Sequence, residues 1–245
     1  MKQVFLTVNK NFALTDNVYK MVLTGDTSGI TNCGQFVNIK LDGLFLRRPI
    51  SVCDCQNNEL TLVYKVVGRG TEQMSRIKEG QCLDLLVGLG NGYDCSLSGN
   101  NPLLIGGGVG VPPLYMLCKK LIDEGKTPTV ILGFNTANEV FYKQEFENLG
   151  AKVIVCTVDG SCGVRGLVTD GMANLEYSYF YTCGPEPMLK AIYRTAKTSG
   201  QFSFEERMGC GFGACMGCSC KTITGYKRIC KEGPVLCKEE ILWEK

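Results

Sequence analysis

Four cysteines near the C-terminus constrain this chain more than any other feature of its sequence. Cys210, Cys215 and Cys218 lie in a glycine-rich segment with the spacing C-x4-C-x2-C, and Cys230 follows after eleven further residues. Four thiolates can hold two iron atoms, and a tight three-cysteine loop closed by a distant fourth cysteine is typical of plant-type [2Fe–2S] centres. The spacing therefore predicts one [2Fe–2S] cluster ligated by these four residues.

Other uses of clustered cysteines fit this segment less well. A four-cysteine zinc site usually contains two C-x2-C pairs, and only Cys215 and Cys218 have that spacing. A disulfide framework is typical of short secreted chains, whereas this sequence of 245 residues shows no signal-peptide pattern. Cys220 lies close enough in sequence to substitute as a ligand, and Cys237 is the alternative to Cys230 as the fourth.

The composition limits the functions that this chain can serve. A net charge of +2 gives no basis for binding nucleic acid or an anionic membrane. The sequence contains no histidine, which excludes a Rieske centre, a histidine-ligated haem and a Ser-His-Asp triad. Fifteen cysteines without an export signal predict a reducing cytoplasm, where those outside the proposed cluster fit as small core side chains. Redox chemistry would therefore rest on cofactors.

The pattern of elements divides the chain into three parts. Residues 1–97 contain short strand-like runs separated by Gly, Asn and Asp, which is typical of a small antiparallel barrel. Residues 98–200 alternate strands with helices, which predicts an α/β domain with a parallel sheet. Residues 201–245 form a small cysteine-rich module. The predicted strands are 4–8, 18–23, 35–39, 60–66, 83–86, 102–105, 129–133, 152–156 and 179–182, and the predicted helices are 71–79, 113–124, 141–149 and 186–198.

Two motifs in the first part suit a phosphate-bearing cofactor. Arg47–Ser51 reads Arg-Arg-Pro-Ile-Ser and places two guanidinium groups beside a rigid proline and a hydroxyl. Gly68–Thr71 leads into a predicted helix, whose N-terminus can bind an anion. Each motif has a simpler explanation, namely solvated arginines on a barrel edge and an ordinary turn with a threonine cap. Together they describe two sides of one pyrophosphate site.

The α/β part carries two turns that each join a strand to a helix. Gly106–Pro113 follows the first predicted strand of this part, so its backbone amides can approach a pyrophosphate closely. It departs from the G-x-G-x-x-G pattern, and Asn135 stands where an acidic residue would close the second strand. Cys183–Pro185 ends a later strand, at the edge where parallel sheets bind ligands. The simpler explanation of the first turn is that its glycines only let strand and helix pack.

The order of these motifs resembles the ferredoxin–NADP reductase superfamily, in which an FAD-binding antiparallel barrel precedes a nicotinamide-binding domain. The segments that carry the resemblance are Arg48–Ser51, Gly70-Thr71, Gly108–Pro113 and Cys183–Pro185. With the added cysteine module, the chain resembles the electron-transfer subunits of class 1B dihydroorotate dehydrogenases. Ile50 departs from the aromatic residue usual in the superfamily, which removes one ring that could stack on the flavin.

The resemblance implies that this chain works with a partner. A subunit carrying FMN would oxidise dihydroorotate to orotate, in a symmetric α2β2 assembly in the cytoplasm. Electrons would pass singly through the [2Fe–2S] centre to FAD and leave as a hydride to NAD+. NAD(H) is favoured over NADP(H), because residues 135–139 offer no positive charge for a 2′-phosphate. Folding could still place Lys143 or Arg165 next to that phosphate, which would weaken this preference.

The resemblance also assigns cofactor contacts in this sequence. Arg48 would contact the FAD phosphates, Ser51 would hydrogen-bond near the flavin N5, and Cys183 would lie by the nicotinamide without acting as a nucleophile. No residue is assigned to dihydroorotate chemistry. The predicted cofactor-binding residues are Arg48, Pro49, Ile50, Ser51, Tyr64, Lys65, Val66, Gly70, Thr71, Gly107, Gly108, Gly110, Cys183, Gly184 and Pro185.

Two other classes of protein share these features. A flavin and iron–sulfur subunit of a sulfide, hydrogen or electron-bifurcating oxidoreductase would use the same modules with a different partner. A non-catalytic flavoprotein that senses redox state would keep the fold, and rapid reduction of its flavin by NADH would argue against that class. The sequence of the neighbouring subunit would separate the enzyme classes.

Overall fold

The computed structural model describes residues 1–243, and three sheets account for its architecture. The last two residues of the predicted module 201–245 lie outside the described residues. Within residues 1–243, no helix has the length and hydropathy needed to cross a membrane.

The first sheet is a closed antiparallel barrel with the strand order β1-β2-β5-β4-β3-β6. Alternate residues of its first strand, Val4, Leu6 and Val8, are buried inside the barrel, as the period of two in a strand requires. One short helix follows the fifth strand. The elements are β1 Lys2–Ala13, β2 Val18–Thr24, β3 Phe36–Ile39, β4 Arg48–Gln56, β5 Glu59–Lys65, α1 Arg69–Ser75 and β6 Cys82–Leu89.

The strands of the second sheet alternate with helices along the chain. Six of these strands are parallel and lie side by side in the order β10-β9-β8-β7-β11-β12. Its central strand β7 is buried along its whole length and β11 up to Thr182, as expected for strands covered on both faces. The elements are β7 Pro102–Gly107, α2 Pro113–Asp123, β8 Thr129–Phe134, α3 Lys143–Asn148, β9 Lys152–Thr157, β10 Val164–Arg165, α4 Val168–Gly171, β11 Tyr179–Cys183, α5 Glu186–Thr195 and β12 Gly200–Ser203.

The C-terminal part contains a hairpin and one strand that returns to the second sheet. The hairpin pairs β13 Ser219–Thr222 with β14 Gly225–Arg228. The returning strand, β15 Val235–Cys237, runs antiparallel to β12 and makes the seventh strand of that sheet. The predicted boundary at residue 200 therefore falls on the first residue of β12.

The predicted fold class is confirmed: a barrel, a parallel-sheet domain and a C-terminal cysteine module follow one another. The barrel and the second sheet are held together by polar contacts and a shared apolar core. Helix α2 packs against β4, where the Lys119 ammonium pairs with the Asp54 carboxylate at 2.8 Å. The Cys53 thiol donates to the Tyr142 hydroxyl at 3.2 Å, which adds a second link between the two parts.

Candidate cofactor cavity and cluster loop

A cavity of about 850 Å³ lies between the barrel and the parallel sheet. Strands β4 and β5 form one wall, and the turns after β7 and β11 form the opposite wall. The turns after β7 and β11 lie together because the carboxyl ends of parallel strands share one edge of a sheet. Two predicted cofactor residues, Val66 and Gly70, do not line the cavity. The predicted residues that do are Arg48, Pro49, Ile50, Ser51, Tyr64, Lys65, Thr71, Gly107, Gly108, Gly110, Cys183, Gly184 and Pro185.

The two adjacent arginines have different surroundings. The Arg47 guanidinium donates to both carboxylate oxygens of Asp84, at 2.9 and 3.0 Å, and so ties the start of β4 to β6. Burial acts to raise the pKa of Asp84, but the hydrogen bonds from Arg47 and Gln3 outweigh it and hold that pKa below its usual value. Arg48 instead lines the cavity. Arg47 is therefore paired with Asp84, and the phosphate contact of Arg48 stays a prediction.

Gly70 contributes to the site by making room for Arg48. A Cβ atom at Gly70 would fall 2.0 Å from Nε of Arg48, so a larger residue at this position would displace the Arg48 side chain. Gly70 is itself buried beneath that side chain.

Thr71 is not the helix cap that the sequence suggested. Helix α1 begins at Arg69 and ends at Ser75, so the prediction of a helix over 71–79 is displaced at both ends. The Thr71 hydroxyl accepts from the backbone N–H of Val67 at 2.9 Å and donates to the carbonyl of Gly68 at 3.1 Å. This hydroxyl therefore fixes the turn before α1, while the residue still lines the cavity.

The turn after β7 meets the turn after β11 through backbone atoms. A Cβ atom at Gly110 would fall 2.2 Å from the carbonyl oxygen of Cys183, so this position needs a glycine for packing. Gly108 is different, because its φ of +52° is left-handed and no atom lies within 4 Å of its Cβ position. Gly110 is therefore needed for packing, which agrees with the simpler explanation of this turn. Gly108 instead leaves unobstructed backbone facing the cavity.

Cys183 is poorly suited to nucleophilic chemistry. Burial raises the pKa of its thiol to about 12, although a hydrogen bond with the Ser203 side chain acts in the other direction. With no histidine in the chain, no imidazole is available to remove its proton. Cys183 therefore lines the cavity as a thiol with a raised pKa, and its place beside a nicotinamide stays a prediction.

An acidic side chain does lie at the end of the second strand of the α/β part, although it comes from a residue further along the chain. The Glu139 carboxylate accepts from the backbone N–H of Asn135 at 3.0 Å and from its side-chain amide at 2.9 Å, and Glu139 lines the cavity. The two positive residues considered near this end do not line it. Lys143 lies 3.7 Å from the Glu147 carboxylate, and the stem of Arg165 packs beside Gly160.

The four predicted cluster cysteines meet as two pairs. The Cys210 sulfur accepts from the backbone N–H of Cys215 at 3.4 Å, and the Cys215 sulfur accepts from that of Cys210 at 3.5 Å. The Cys218 sulfur accepts from the backbone N–H of Cys230 at 3.4 Å. Within residues 1–243, no group of three or more Cys, Asp or Glu surrounds one metal-ion position. Two pairs of thiols suit two irons, each of which takes two thiolates.

The backbone of the cluster loop favours thiolate at Cys210. Partial burial acts to raise the pKa of this thiol, but backbone N–H groups of Phe212, Cys215 and Ala214 lower it to about 6. Gly211, at φ +77°, lets the loop turn so that these N–H groups reach the sulfur. Hydrogen bonds of this kind also tune iron–sulfur centres. The loop therefore fits the predicted cluster.

A thin layer separates the cluster loop from the cavity. The side-chain amide of Asn38, on β3, donates to the carbonyl of Cys210 at 3.2 Å. Phe36, on the same strand, lines the cavity and packs in one apolar core with Cys218 and Cys230. A one-electron centre at the loop would therefore lie next to whatever the cavity binds.

The two other cysteines considered as ligands lie on strands, and Cys220 packs against the same apolar core as Cys218 and Cys230. Cys220 is on β13, and Cys237 is on β15 opposite Gln201. In the part of the chain that the structure describes, neither makes a hydrogen bond to Cys210, Cys215, Cys218 or Cys230.

Two protein families match segments of this chain. The iron-sulfur cluster binding domain of dihydroorotate dehydrogenase B matches residues 205–242, and the oxidoreductase NAD-binding domain matches residues 104–194. A relative from Bacillus pumilus, the dihydroorotate dehydrogenase B (NAD(+)) electron transfer subunit, is 41% identical over 98% of both chains. The subunit of the same name from Fusobacterium nucleatum is 42% identical over 98% of this chain and 99% of its own. This chain belongs to the dihydroorotate dehydrogenase B electron transfer subunit family.

Solved structures extend the comparison beyond this electron transfer subunit family. The structure of an NADH-dependent reduced ferredoxin–NADP oxidoreductase, studied for flavin-based electron bifurcation, has a TM-score of 0.89 at 29% identity, over 98% of this chain and 90% of its own. A ferredoxin NADP+ reductase from Neisseria gonorrhoeae with bound FAD and NADP has a TM-score of 0.71 at 15% identity, over 80% and 90% of the two chains. The second likeness shows a shared fold.

The sequence did not reveal one segment of the cavity wall in this electron transfer subunit. Residues 203–206 and Met208 line the cavity directly after β12. The strand itself, Gly-Gln-Phe-Ser, is too short and mixed to be recognised by its pattern. The available signal was topological: a strand next to β11 must end at the same ligand-binding edge.

Proposed function

We propose that this chain passes electrons between NAD+ and a partner subunit that oxidises dihydroorotate. The observation that carries the proposal is the layer of Phe36 and Asn38, which places paired cluster thiols directly behind a large two-walled cavity. When bound, FAD supplies hydride exchange with a nicotinamide, and a [2Fe–2S] centre supplies one-electron exchange. The near-full-length likeness to dihydroorotate dehydrogenase B subunits supports the same function.

Each wall of the cavity has a separate task in this proposal. Arg48, backed by Gly70, binds the diphosphate, and Ser51 on the same strand hydrogen-bonds the flavin ring. The open backbone at Gly108 would hold the nicotinamide nucleotide, and Cys183 would line the wall beside it without exchanging a proton. Residues of both the barrel and the sheet line the cavity, so each would shield part of the bound groups from water.

The charges around the cavity favour NAD(H). A 2′-phosphate needs a positive partner, and Glu139 is the charged residue that the cavity presents after β8. Lys143 and Arg165, which could have supplied that partner, lie elsewhere. A carboxylate at this end of the cavity would repel the additional phosphate of NADP(H).

The exposed side of the cluster loop is the surface where we place the partner. Phe212 is 42% exposed and Met216 is 52% exposed, and both lie between cluster cysteines. An apolar rim beside a one-electron centre suits docking of a second redox protein. We propose that this protein is an FMN-bearing dihydroorotate dehydrogenase subunit, in an α2β2 assembly in the cytoplasm.

The main alternative is a subunit of an electron-bifurcating oxidoreductase. The structure from the bifurcation study supports it with a TM-score of 0.89, but at 29% identity. The dihydroorotate dehydrogenase B subunits are 41–42% identical over nearly the whole chain, and they favour the first function. The two functions differ in the partner protein, so an assay with the FMN-bearing subunit and dihydroorotate distinguishes them.

We expect the purified chain, with its cofactors, to oxidise NADH with an artificial electron acceptor but not to oxidise dihydroorotate. Adding the FMN-bearing partner subunit should produce dihydroorotate-dependent NAD+ reduction, because that subunit supplies the missing oxidation site. Spectrophotometric assays of NADH with each substrate test this. Reduction of the isolated chain's flavin by dihydroorotate would refute the subunit assignment, and failure of NADH to reduce the flavin would favour a sensor.

A charged residue in the cluster loop should show whether the exposed apolar side chains bind the partner subunit or only shield the cluster from solvent. Phe212→Glu should lower co-purification with the partner while the cluster spectrum persists. Phe12→Glu is the matched control, since Phe12 is 44% exposed and lies on β1, which does not pair with β3. Equal retention of the partner by both variants would contradict the proposed surface.

Arg48→Ala should weaken retention of FAD. A hydrogen bond to a charged group contributes about 1.5–3 kcal/mol, so the dissociation constant should rise roughly 10- to 150-fold. Equilibrium dialysis with chromatography of heat-released flavin measures both the affinity and the identity of the cofactor. Arg69→Ala is the control, because Arg69 neighbours Gly70 but does not line the cavity. Released FMN instead of FAD would show that the diphosphate assignment is wrong.

A further inference from the structure

We propose that Cys33 and Cys95 form a modification site, a thiol pair that closes to an intrachain disulfide when a low-molecular-weight disulfide oxidises it. Neither residue lines the cofactor cavity or belongs to the cluster loop. Cys33 lies in the connection between β2 and β3, and Cys95 begins a short 3₁₀ helix between the barrel and the second sheet.

The two sulfur atoms are already close. Their separation is 3.9 Å, and a disulfide bond is about 2.05 Å long, so the atoms need to approach by about 1.9 Å. The backbone around them is held in place, since the N–H of Tyr93 donates to the carbonyl of Cys33 at 2.8 Å. The amide of Asn32 also donates to the carbonyl of Tyr93 at 3.1 Å. Small side-chain rotations from this arrangement would bring the sulfurs together.

A surface cleft gives small molecules a route to this pair. The cleft has a volume of about 470 Å³ and is lined by Cys95 together with Asn32, Lys120 and Glu124. Lys120 places a positive charge in the cleft, beside the carboxylates of Asp94 and Glu124. Cys95 is 4% exposed and lines the cleft, whereas Cys33 is 1% exposed and does not line it, so a reagent in the cleft meets Cys95 first.

The electrostatics assign different tasks to the two thiols. The hydrogen bond between the two sulfurs lowers the pKa of Cys95 against the effect of burial, and Lys120 lowers it further. The same hydrogen bond, together with burial, raises the pKa of Cys33. Because the thiolate is the nucleophile in disulfide exchange, Cys95 is the attacking residue and Cys33 is the resolving one.

The exchange balances with a small disulfide, R–S–S–R, as the oxidant. The Cys95 thiolate attacks one sulfur, forms a mixed disulfide and releases R–S⁻. Cys33 then loses its proton, attacks the Cys95 sulfur and releases the second R–S⁻. The protein gives up two electrons and two protons, and the small disulfide is reduced to two thiols. In reducing compartments such bonds are transient and redox-sensing.

Peptide mapping of the oxidised holoprotein tests this site. The protein, with FAD and cluster bound, is treated anaerobically with oxidised glutathione, alkylated and digested. We expect a joined peptide containing Cys33 and Cys95, with a mass about 2 Da below the sum of the two reduced peptides. Dithiothreitol should separate them again, and an unchanged cluster absorbance should show that the thiols do not come from cluster breakdown.

Variants distinguish a built pair from random oxidation. Cys33→Ser, with Cys33→Ala as a second variant if the first does not fold, should trap Cys95 as a lasting mixed disulfide with glutathione. Cys118→Ala, which removes another buried thiol of the same core, should leave the joined peptide intact. The exposed Cys82 reports that the reagent is active. Glutathione on Cys82 without any joined peptide would overturn the proposal.

Discussion

Replacing Cys230 by serine is expected to abolish the [2Fe–2S] centre while FAD stays bound. Cys230 is 2% exposed and its backbone N–H donates to the Cys218 sulfur, so it completes the second thiol pair. A hydroxyl is a much weaker ligand for these irons than a soft thiolate. Iron analysis, visible absorbance and electron paramagnetic resonance of the reduced protein would measure the loss, and released FAD would be quantified in parallel.

Cys237→Ser is the matched control for this experiment. Cys237 is half-buried on β15 and pairs with Gln201, so its replacement should leave the iron content unchanged. An intact cluster in Cys230→Ser, with loss of the cluster in Cys237→Ser, would move the fourth ligand to Cys237.

Gly110→Ala is expected to damage both the stability and the NADH reaction of the protein. The added methyl group would lie 2.2 Å from the carbonyl oxygen of Cys183 and 2.6 Å from the backbone nitrogen of Gly184. Because these contacts are backbone atoms, two walls of the cavity must separate. Overpacking of this kind typically costs about 1–3 kcal/mol of the free energy of unfolding. Chemical denaturation and stopped-flow reduction of the flavin by NADH would measure the two effects.

Gly68→Ala provides the comparison for the stability measurement. Gly68 has an extended φ of 177°, which any residue adopts, and no atom lies within 4 Å of its Cβ position. Its free energy of unfolding should change by no more than about 0.5 kcal/mol. Equal stability of the two variants would show that the turns after β7 and β11 do not touch as described.

The sequence predicted best those features that depend on residues close together in the chain. The cysteine spacing, the strand–turn–helix at Gly106–Pro113 and the alternating barrel strands each require only neighbouring residues, and the structure has the corresponding elements. The predicted strands and helices of the α/β part differ from the observed ones mainly at their ends. The family, the fold class and the cofactors predicted from these signals are confirmed.

The features that the sequence did not reveal depend on contacts between distant residues. Strand β4 begins with Arg-Pro and has no clear alternation, and its pairing with β3 and β5 makes it a strand. Arg47 and Arg48 are identical in type and adjacent, and only the position of Asp84 on β6 separates their roles. The acidic group at the end of β8 comes from Glu139, whose carboxylate accepts a hydrogen bond from Asn135, four residues earlier. A pattern that looks for an acidic residue at the strand end itself does not find it.

The return of β15 to the second sheet sets an order of events during synthesis. Until residues 235–237 leave the ribosome, β12 is an open edge with unpaired N–H and C=O groups. Cys210, Cys215, Cys218 and Cys230 all emerge before that edge is covered. Synthesis therefore produces the four predicted ligand cysteines before it produces the strand that covers this edge of the sheet.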